Sequence, residues 1–169
     1  MRDALVAATG QPPILVANAA DAPEWLPGVA VYPDVVPGAG ALGGILTAVE
    51  RAAPVVCVAW DMPFVPAALL TALGGLLADA DAALPESDGR RGLEPLCAAY
   101  GPACGPAIRA ALERGDRRAI AFHEDIRVAK LAQRDVLQYG DPGVVFFNVN
   151  SPDDLARAES QWQARGSSP

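Results

Sequence analysis

Histidine is nearly missing from this 169-residue chain, and its one copy, His123, excludes any mechanism that needs two imidazoles. His123 is expected at a helix end. Cysteine is scarce as well. Cys57, Cys97 and Cys104 cannot all pair, and no two stand at a zinc-knuckle or redox spacing, so they read as buried thiols with no sulfur-based metal site. Cations are outnumbered, thirteen Lys and Arg against twenty Asp and Glu, for a net charge of −7. Nucleic acid and anionic lipid, which are held by clustered cations, are therefore not expected partners. Long apolar runs are lacking too. The 17-residue uncharged run 62–78 contains Pro63, Pro66, Gly74 and Gly75 and gives way to Asp79 and Asp81, so it is not expected to span a membrane. The opening Met1-Arg2-Asp3 puts an acid where a signal peptide needs positive charge, and the expected location is the cytoplasm.

What is present is ordinary for a globular chain: 17.4 kDa, 51% apolar and 20% charged residues. That mass fits one domain, expected over residues 1–163, with a disordered tail at 164–169. Apolar runs of strand length alternate with stretches of helical period. Strands are expected over 13–18, 29–32, 55–60, 81–84, 93–100, 126–130 and 144–148, with 55–60 (VVCVAW, preceded by Pro54) as the buried central one. Leu42, Ile45, Leu46 and Val49 share one face of a helix, and Leu69, Leu70, Leu73, Leu76 and Leu77 face the sheet from a helix opening at Pro66. Further helices are expected over 103–114 and 117–123. The last one opens with Ser151, Pro152, Asp153 and Asp154, with Leu155, Ala158 and Trp162 on its inner face. This rhythm specifies an α/β sheet covered on both faces, with ligands at the carboxyl ends of its strands.

Two features of those loops carry chemistry. Gly38, Gly40 and Gly43 match GxGxxG, the outline of a dinucleotide fingerprint. The fingerprint needs a strand running straight into its first glycine, and Pro33, Asp34 and Pro37 interrupt that approach. The stretch reads instead as a small-residue turn packing closely on a helix, or as a loop whose backbone NH groups approach a ligand at a helix N-terminus. The second feature is Asp61. An acid closing an apolar strand is costly to bury unless a cation neutralises it, and Mg2+ held by one carboxylate plus substrate phosphates is a natural solution. The alternative is an N-cap for the helix near Pro66.

Taken together, the loops resemble those of the molybdenum cofactor guanylyltransferases, within the wider nucleotidyltransferase fold. The matching pieces are Ala17-Asn18, Pro33-Asp34, residues 37–44 (PGAGALGG), Asp61-Met62-Pro63-Phe64, residues 85–96 (PESDGRRGLEPL) and residues 147–155 (FNVNSPDDL), in family order. The resemblance implies a three-layer, Rossmann-like nucleotidyltransferase fold with a mostly parallel mixed sheet. It implies transfer of GMP from GTP to the phosphate of molybdopterin. Asn18 and Asp34 would contact the guanine nucleotide, Asp61 would bind Mg2+ at the α-phosphate, and Asn148 with Asn150 would position the pterin. Arg90 and Arg91 are the densest cations for a pterin phosphate, or a solvated hairpin turn. Glu94 is a second metal-site acid or a salt-bridge partner. Implied partners are the small-molecule substrates, together with molybdenum cofactor biosynthesis proteins or molybdoenzyme chaperones.

The family opens with a strand and a Leu-Ala-Gly-Gly phosphate loop carrying an arginine, followed by a lysine, and these residues contain neither. Residues 1–80 carry two cations, Arg2 and Arg51, against seven acids. Three explanations stand: an N-terminally truncated enzyme, a non-catalytic pterin-binding or interaction module of the same fold, or a separate chain that supplies the strand.

Overall fold

The computed structural model describes residues 1–88 and 92–166. The chain opens with α1 (Arg2–Thr9), β1 (Ile14–Val16), α2 (Ala22–Trp25) and β2 (Ala30–Tyr32), and continues with α3 (Gly40–Ala52), β3 (Val55–Val58) and α4 (Ala67–Gly75). Then come β4 (Ala82–Pro85), β5 (Cys97–Tyr100), α5 (Cys104–Glu113), β6 (Val128–Leu131), α6 (Gln133–Val136), α7 (Pro142–Val145) and α8 (Pro152–Gly166).

The strands form two sheets. In one, β1 and β2 run parallel, with Leu15 opposite Val31. In the other the order is β3-β5-β4-β6, where β5 is antiparallel to both neighbours and β4 pairs parallel with β6. The pairing is thus evenly mixed rather than mostly parallel. β5 enters antiparallel because it returns along β4 through a hairpin stem closed by the Glu86 to Leu93 bridge. β3, expected in the centre, is an edge strand, and its four residues are all half-buried while β4 and β5 are buried throughout.

Helices cover both faces. On one, Leu42, Ile45 and Leu46 of α3 and Ile108 of α5 pack with Tyr100 and Phe122. On the other, Leu69, Leu70 and Leu73 of α4 pack with Val136, Val145 and Phe146, and α1 lies over α4 through Ala4, Leu5 and Ala8. The leucine spacing at i, i+1 and i+4 explains the seating of α4, since those positions share one helical face. Tyr100 is fully buried and remains compatible with the core because its hydroxyl donates to the Pro95 carbonyl at 2.6 Å.

Several expectations need correcting. Residues 144–148 form no strand. Asp141 caps a helical turn by accepting from the Gly143 N–H at 2.9 Å, and Pro142 in the first turn fixes the backbone for it. Residues 117–123 hold turns and the start of a short 3-10 segment, His123–Asp125, rather than a helix. α8 extends to Gly166, so residues 164–166 belong to a helix and not to a tail. Among the described residues no helix is long and apolar enough to cross a membrane.

All three cysteines are free. Burial pushes the Cys57 and Cys97 thiols up to about 12 and that of Cys104 up to about 11, so none offers a thiolate near neutral pH. His123 begins the 3-10 segment, and its Nε2 is buried with no hydrogen-bond partner among the described residues. Burial, and then repulsion from Lys130, lowers its pKa to about 4. The unfolded chain therefore takes up this proton first as pH falls. His123 is expected to cost no stability above about pH 7 and progressively more as pH drops from 6.5 through 4. Urea unfolding of H123Q across that window should give a flatter profile than the parent. An unchanged slope would assign the dependence to other groups.

Candidate active site

Three strand ends supply the site. β1 continues through Ala17, whose N–H donates to the Tyr32 carbonyl at 3.0 Å, and so delivers Asn18 beside the segment that follows β2. There Asn18 and Asp34 bind reciprocally. The Asn18 amide donates to Asp34 Oδ2 at 2.8 Å, and its Oδ1 accepts the Asp34 N–H at 2.9 Å. Two residues sixteen apart in sequence are thereby one unit at the rim.

The segment from Asp34 to α3 is pinned from beneath by Thr47, a fully buried polar residue. Its hydroxyl accepts the Val35 N–H at 3.0 Å and donates to the Gly43 carbonyl at 2.9 Å. The glycines have separate duties. Gly38 (φ 74°) and Gly40 (φ 61°) take left-handed backbone that other residues avoid. At Gly43 a Cβ would lie 2.9 Å from the Ala39 Cβ and 3.2 Å from the Val36 carbonyl oxygen. β2 ends at Tyr32, six positions before Gly38, so no strand runs into the loop and the dinucleotide fingerprint is not formed. α3 has no side-chain cap and no acid in its first turn, which leaves its first N–H groups without an internal partner.

One cation reaches this loop that sequence reasoning missed. Arg117, 79 residues away, donates from Nη1 to the Gly38 carbonyl at 3.1 Å. Nothing local in the sequence marks it, since only the packing of α5 beside α3 brings the segment there. Of the two early cations, Arg51 lies over the Tyr32 ring, 4.8 Å from its centre.

Asp61 follows β3 and is half-buried rather than enclosed. Its backbone carbonyl accepts the Val149 N–H at 2.8 Å, while its carboxylate has no partner among the described residues. It is not an N-cap: α4 starts at Ala67, with Pro66 before it and no side-chain cap. Among the described residues no group of three or more His, Cys, Asp or Glu, Asp61 included, is arranged to hold a metal ion by itself. Beside it Trp60, 73% exposed, stacks on Trp25 with ring centres 5.1 Å apart and planes 12° from parallel.

The Val149 bond brings the 148–150 segment against Asp61. The Asn148 amide donates to the Phe146 carbonyl at 2.9 Å. The Asn150 N–H donates to Asp154 Oδ2 at 3.3 Å, and Ser151 and Asp154 exchange hydrogen bonds of 2.8 and 3.2 Å, a reciprocal cap that starts α8. Hydrogen bonds to the carboxylate, the Ser151 hydroxyl foremost, lower the pKa of Asp154. Phe64, Phe147 and Trp162 then seat α8 beside the Asp61 loop. Arg90 and Arg91 lie outside the described residues. Glu94 accepts from the Ser87 hydroxyl at 2.6 Å within the hairpin stem.

The sequence and fold match known proteins. The model of the MobA-like NTP transferase domain matches residues 2–128. The chain is 35% identical over 133 residues to the probable molybdenum cofactor guanylyltransferase of Pelotomaculum thermopropionicum, covering 78% of this chain and 64% of that protein. It is 33% identical over 108 residues to the molybdenum cofactor guanylyltransferase of Desulfosudis oleivorans, covering 63% and 52%. The chain therefore spans about half to two thirds of the length of these relatives. Molybdopterin-guanine dinucleotide biosynthesis protein A from Archaeoglobus fulgidus superimposes with a TM-score of 0.75 at 29% identity, over 89% of this chain and 78% of that one. Its agreement with the layered α/β architecture confirms the nucleotidyltransferase fold. With three quarters of its residues matched in sequence and its layers matched in space, the chain belongs to the MobA-like NTP transferase domain family.

Proposed function

We propose that this chain acts in guanylyl transfer, moving GMP from GTP to the phosphate of molybdopterin. The observation that carries the reading is the convergence of three strand ends: the Asn18–Asp34 pair, the glycine loop before α3, and Asp61, whose carbonyl holds the 148–150 segment and whose carboxylate has no partner among the described residues. The relatives named above supply the substrate class.

In this reading Asn18 and Asp34 hold the guanine nucleotide, and the open N–H groups at the start of α3 face its phosphates. Asp61 would hold Mg2+, which supplies charge neutralisation at the α-phosphate when bound. Asn148 and Asn150, fixed against Asp61 through Val149, position the pterin, with Arg90 and Arg91 as anchors for its phosphate. An oxygen of that phosphate attacks the α-phosphorus, the bond from the α-phosphorus to the bridging oxygen breaks, and pyrophosphate leaves. Such a transfer rests on alignment and electrostatics and needs no covalent nucleophile, which suits a chain whose thiols stay protonated. The reaction fits the cytoplasm, in company with other molybdenum cofactor biosynthesis proteins or molybdoenzyme chaperones.

The test is a transfer assay with GTP labelled at the α-phosphate, molybdopterin and Mg2+. Label is expected in the pterin dinucleotide with GTP and not with CTP. Equal transfer from both nucleotides, or none from either, would overturn the reading.

A further inference from the structure

The crest of the glycine loop before α3 has little of its own to hold it. Val36, Pro37, Gly38 and Ala39 form a tight turn in which the Ala39 N–H donates to the Val36 carbonyl at 3.3 Å, with proline second and Gly38 third at φ 74°. Gly40 follows at φ 61°. A Cβ at Gly38 or Gly40 would meet nothing within 4 Å, so packing does not fix the backbone at either glycine. Ala39 between them is buried, and Thr47 secures the two ends through the Val35 N–H and the Gly43 carbonyl. The crest itself is held from outside, by Arg117 Nη1 at 3.1 Å from the Gly38 carbonyl oxygen.

The end of α5 aims Arg117 at that carbonyl. Gly115 (φ 80°) turns the chain out of the helix, its N–H donating to the Leu112 carbonyl at 2.9 Å and that of Asp116 to the Ala111 carbonyl at 3.0 Å. Asp116 is then taken by Arg118, whose backbone N–H and Nε each donate to Oδ1 at 3.0 Å. Those hydrogen bonds, the side-chain ones foremost, lower the Asp116 pKa to about 2. With the neighbouring acid occupied, Arg117 forms no ion pair among the described residues, and its guanidinium is left for the loop. The far end of the loop supports the Asn18–Asp34 pair. The Asp34 carboxyl carbon lies 3.6 Å from where a Gly43 Cβ would stand, and its Oδ1 3.9 Å from the corresponding point at Gly44.

We propose that Arg117 is a positioning residue for the nucleotide: by holding the Gly38 carbonyl it keeps the crest of the glycine loop in the shape that receives it. The inference rests on the guanylyl reading above. Without the guanidinium, two glycines are free to sample other backbone shapes, and binding must then select the competent fraction. The effect falls on nucleotide binding, because the acid assigned to the metal stands on a different strand end. Lysine can donate one N–H to the same carbonyl and should restore part of the hold.

The test is calorimetric titration of the 169-residue chain and its R117A, R117K and R109A variants with GTP and with GDP in Mg2+, alongside amide hydrogen exchange over residues 36–41 without nucleotide. R117A is expected to raise the Kd for both nucleotides by the same factor, about tenfold, and to speed exchange over 36–41 while α5 keeps its protection. R117K should fall between R117A and the parent. Arg109, which joins α5 to α3 through its Nε and Glu50 Oε1 at 2.7 Å, supplies the control, since R109A removes the same charge from the same helix pair and should bind like the parent. An equal loss in R109A would reduce the effect to net charge and overturn the proposal. A raised Kd with unchanged exchange over 36–41, or a loss larger for GTP than for GDP, would make Arg117 a direct phosphate contact and overturn it as well. GTP binding by the parent and equally by R117A would remove the positioning role and leave the guanylyl reading standing, whereas no binding by the parent would remove that reading and the role with it.

Discussion

Asp61→Asn is expected to lower guanylyl transfer by two to three powers of ten or more while moving stability by no more than roughly 0.5 kcal/mol. Both halves follow from the same geometry. The carboxylate has no hydrogen bond or ion pair among the described residues, so its charge contributes little to the folded state. The bond that does hold the loop is made by the Asp61 backbone carbonyl to the Val149 N–H, and an asparagine keeps it. What the amide loses is the anionic oxygen that a Mg2+–phosphate complex requires. Steady-state transfer rates alongside urea unfolding separate the two effects. If D61N loses folding and activity together, Asp61 is structural and the metal assignment falls.

The second large effect concerns base selection. Guanine presents two adjacent donors, its ring N1–H and its 2-amino group, and a carboxylate can accept both. Asp34 is oriented for such a role by Asn18, which binds Oδ2 and the Asp34 N–H, while Oδ1 has no partner among the described residues. N18A and D34A are each expected to raise the GTP KM by about tenfold to a hundredfold, and the double variant by little more than D34A alone, a coupling of about 1–2 kcal/mol. D34A should also erase most of the preference for GTP over inosine triphosphate, which lacks the 2-amino group. Fully additive losses, or an intact preference, would show that the pair shapes the loop without touching the base.

Much of this architecture was readable from side-chain pattern. The leucines of α3 and α4 repeat at helical spacing and bury the face expected of them. The β-branched runs 14–16 and 55–58 mark strands, and the reciprocal Ser151–Asp154 cap lies where hydroxyl, proline and acids announced a helix start. The failures share a cause: local pattern does not carry tertiary context. Val144 and Val145 are as apolar as any strand, and a short apolar run has no period long enough to distinguish strand from helix, so the Asp141 cap decided the outcome. The run at β3 was apolar enough for a central strand, yet the chain gives it one strand partner.

The site divides in the same way. Asp61 was identifiable as an acid closing an apolar strand, and Asn18 and Asp34 through the family resemblance of their loops, and the latter two prove to be bonded to each other. Their pairing could not be read from a separation of sixteen residues. Arg117 was invisible because its partner is a carbonyl 79 positions earlier. The burial argued for Asp61 was overstated, since an acid at the mouth of an open cavity keeps contact with water.

The central claim is that these strand ends form a guanine nucleotide site whose metal is held by Asp61. Calorimetric titration of the 169-residue chain with GTP, with and without Mg2+, tests it most directly, with D61N and CTP as controls. The account predicts saturable binding of GTP that weakens at least about tenfold when Mg2+ is withheld or Asp61 is replaced, and weaker binding of CTP under all conditions. Binding indifferent to Mg2+, to Asp61 and to the base, or no binding of GTP at all, would contradict it.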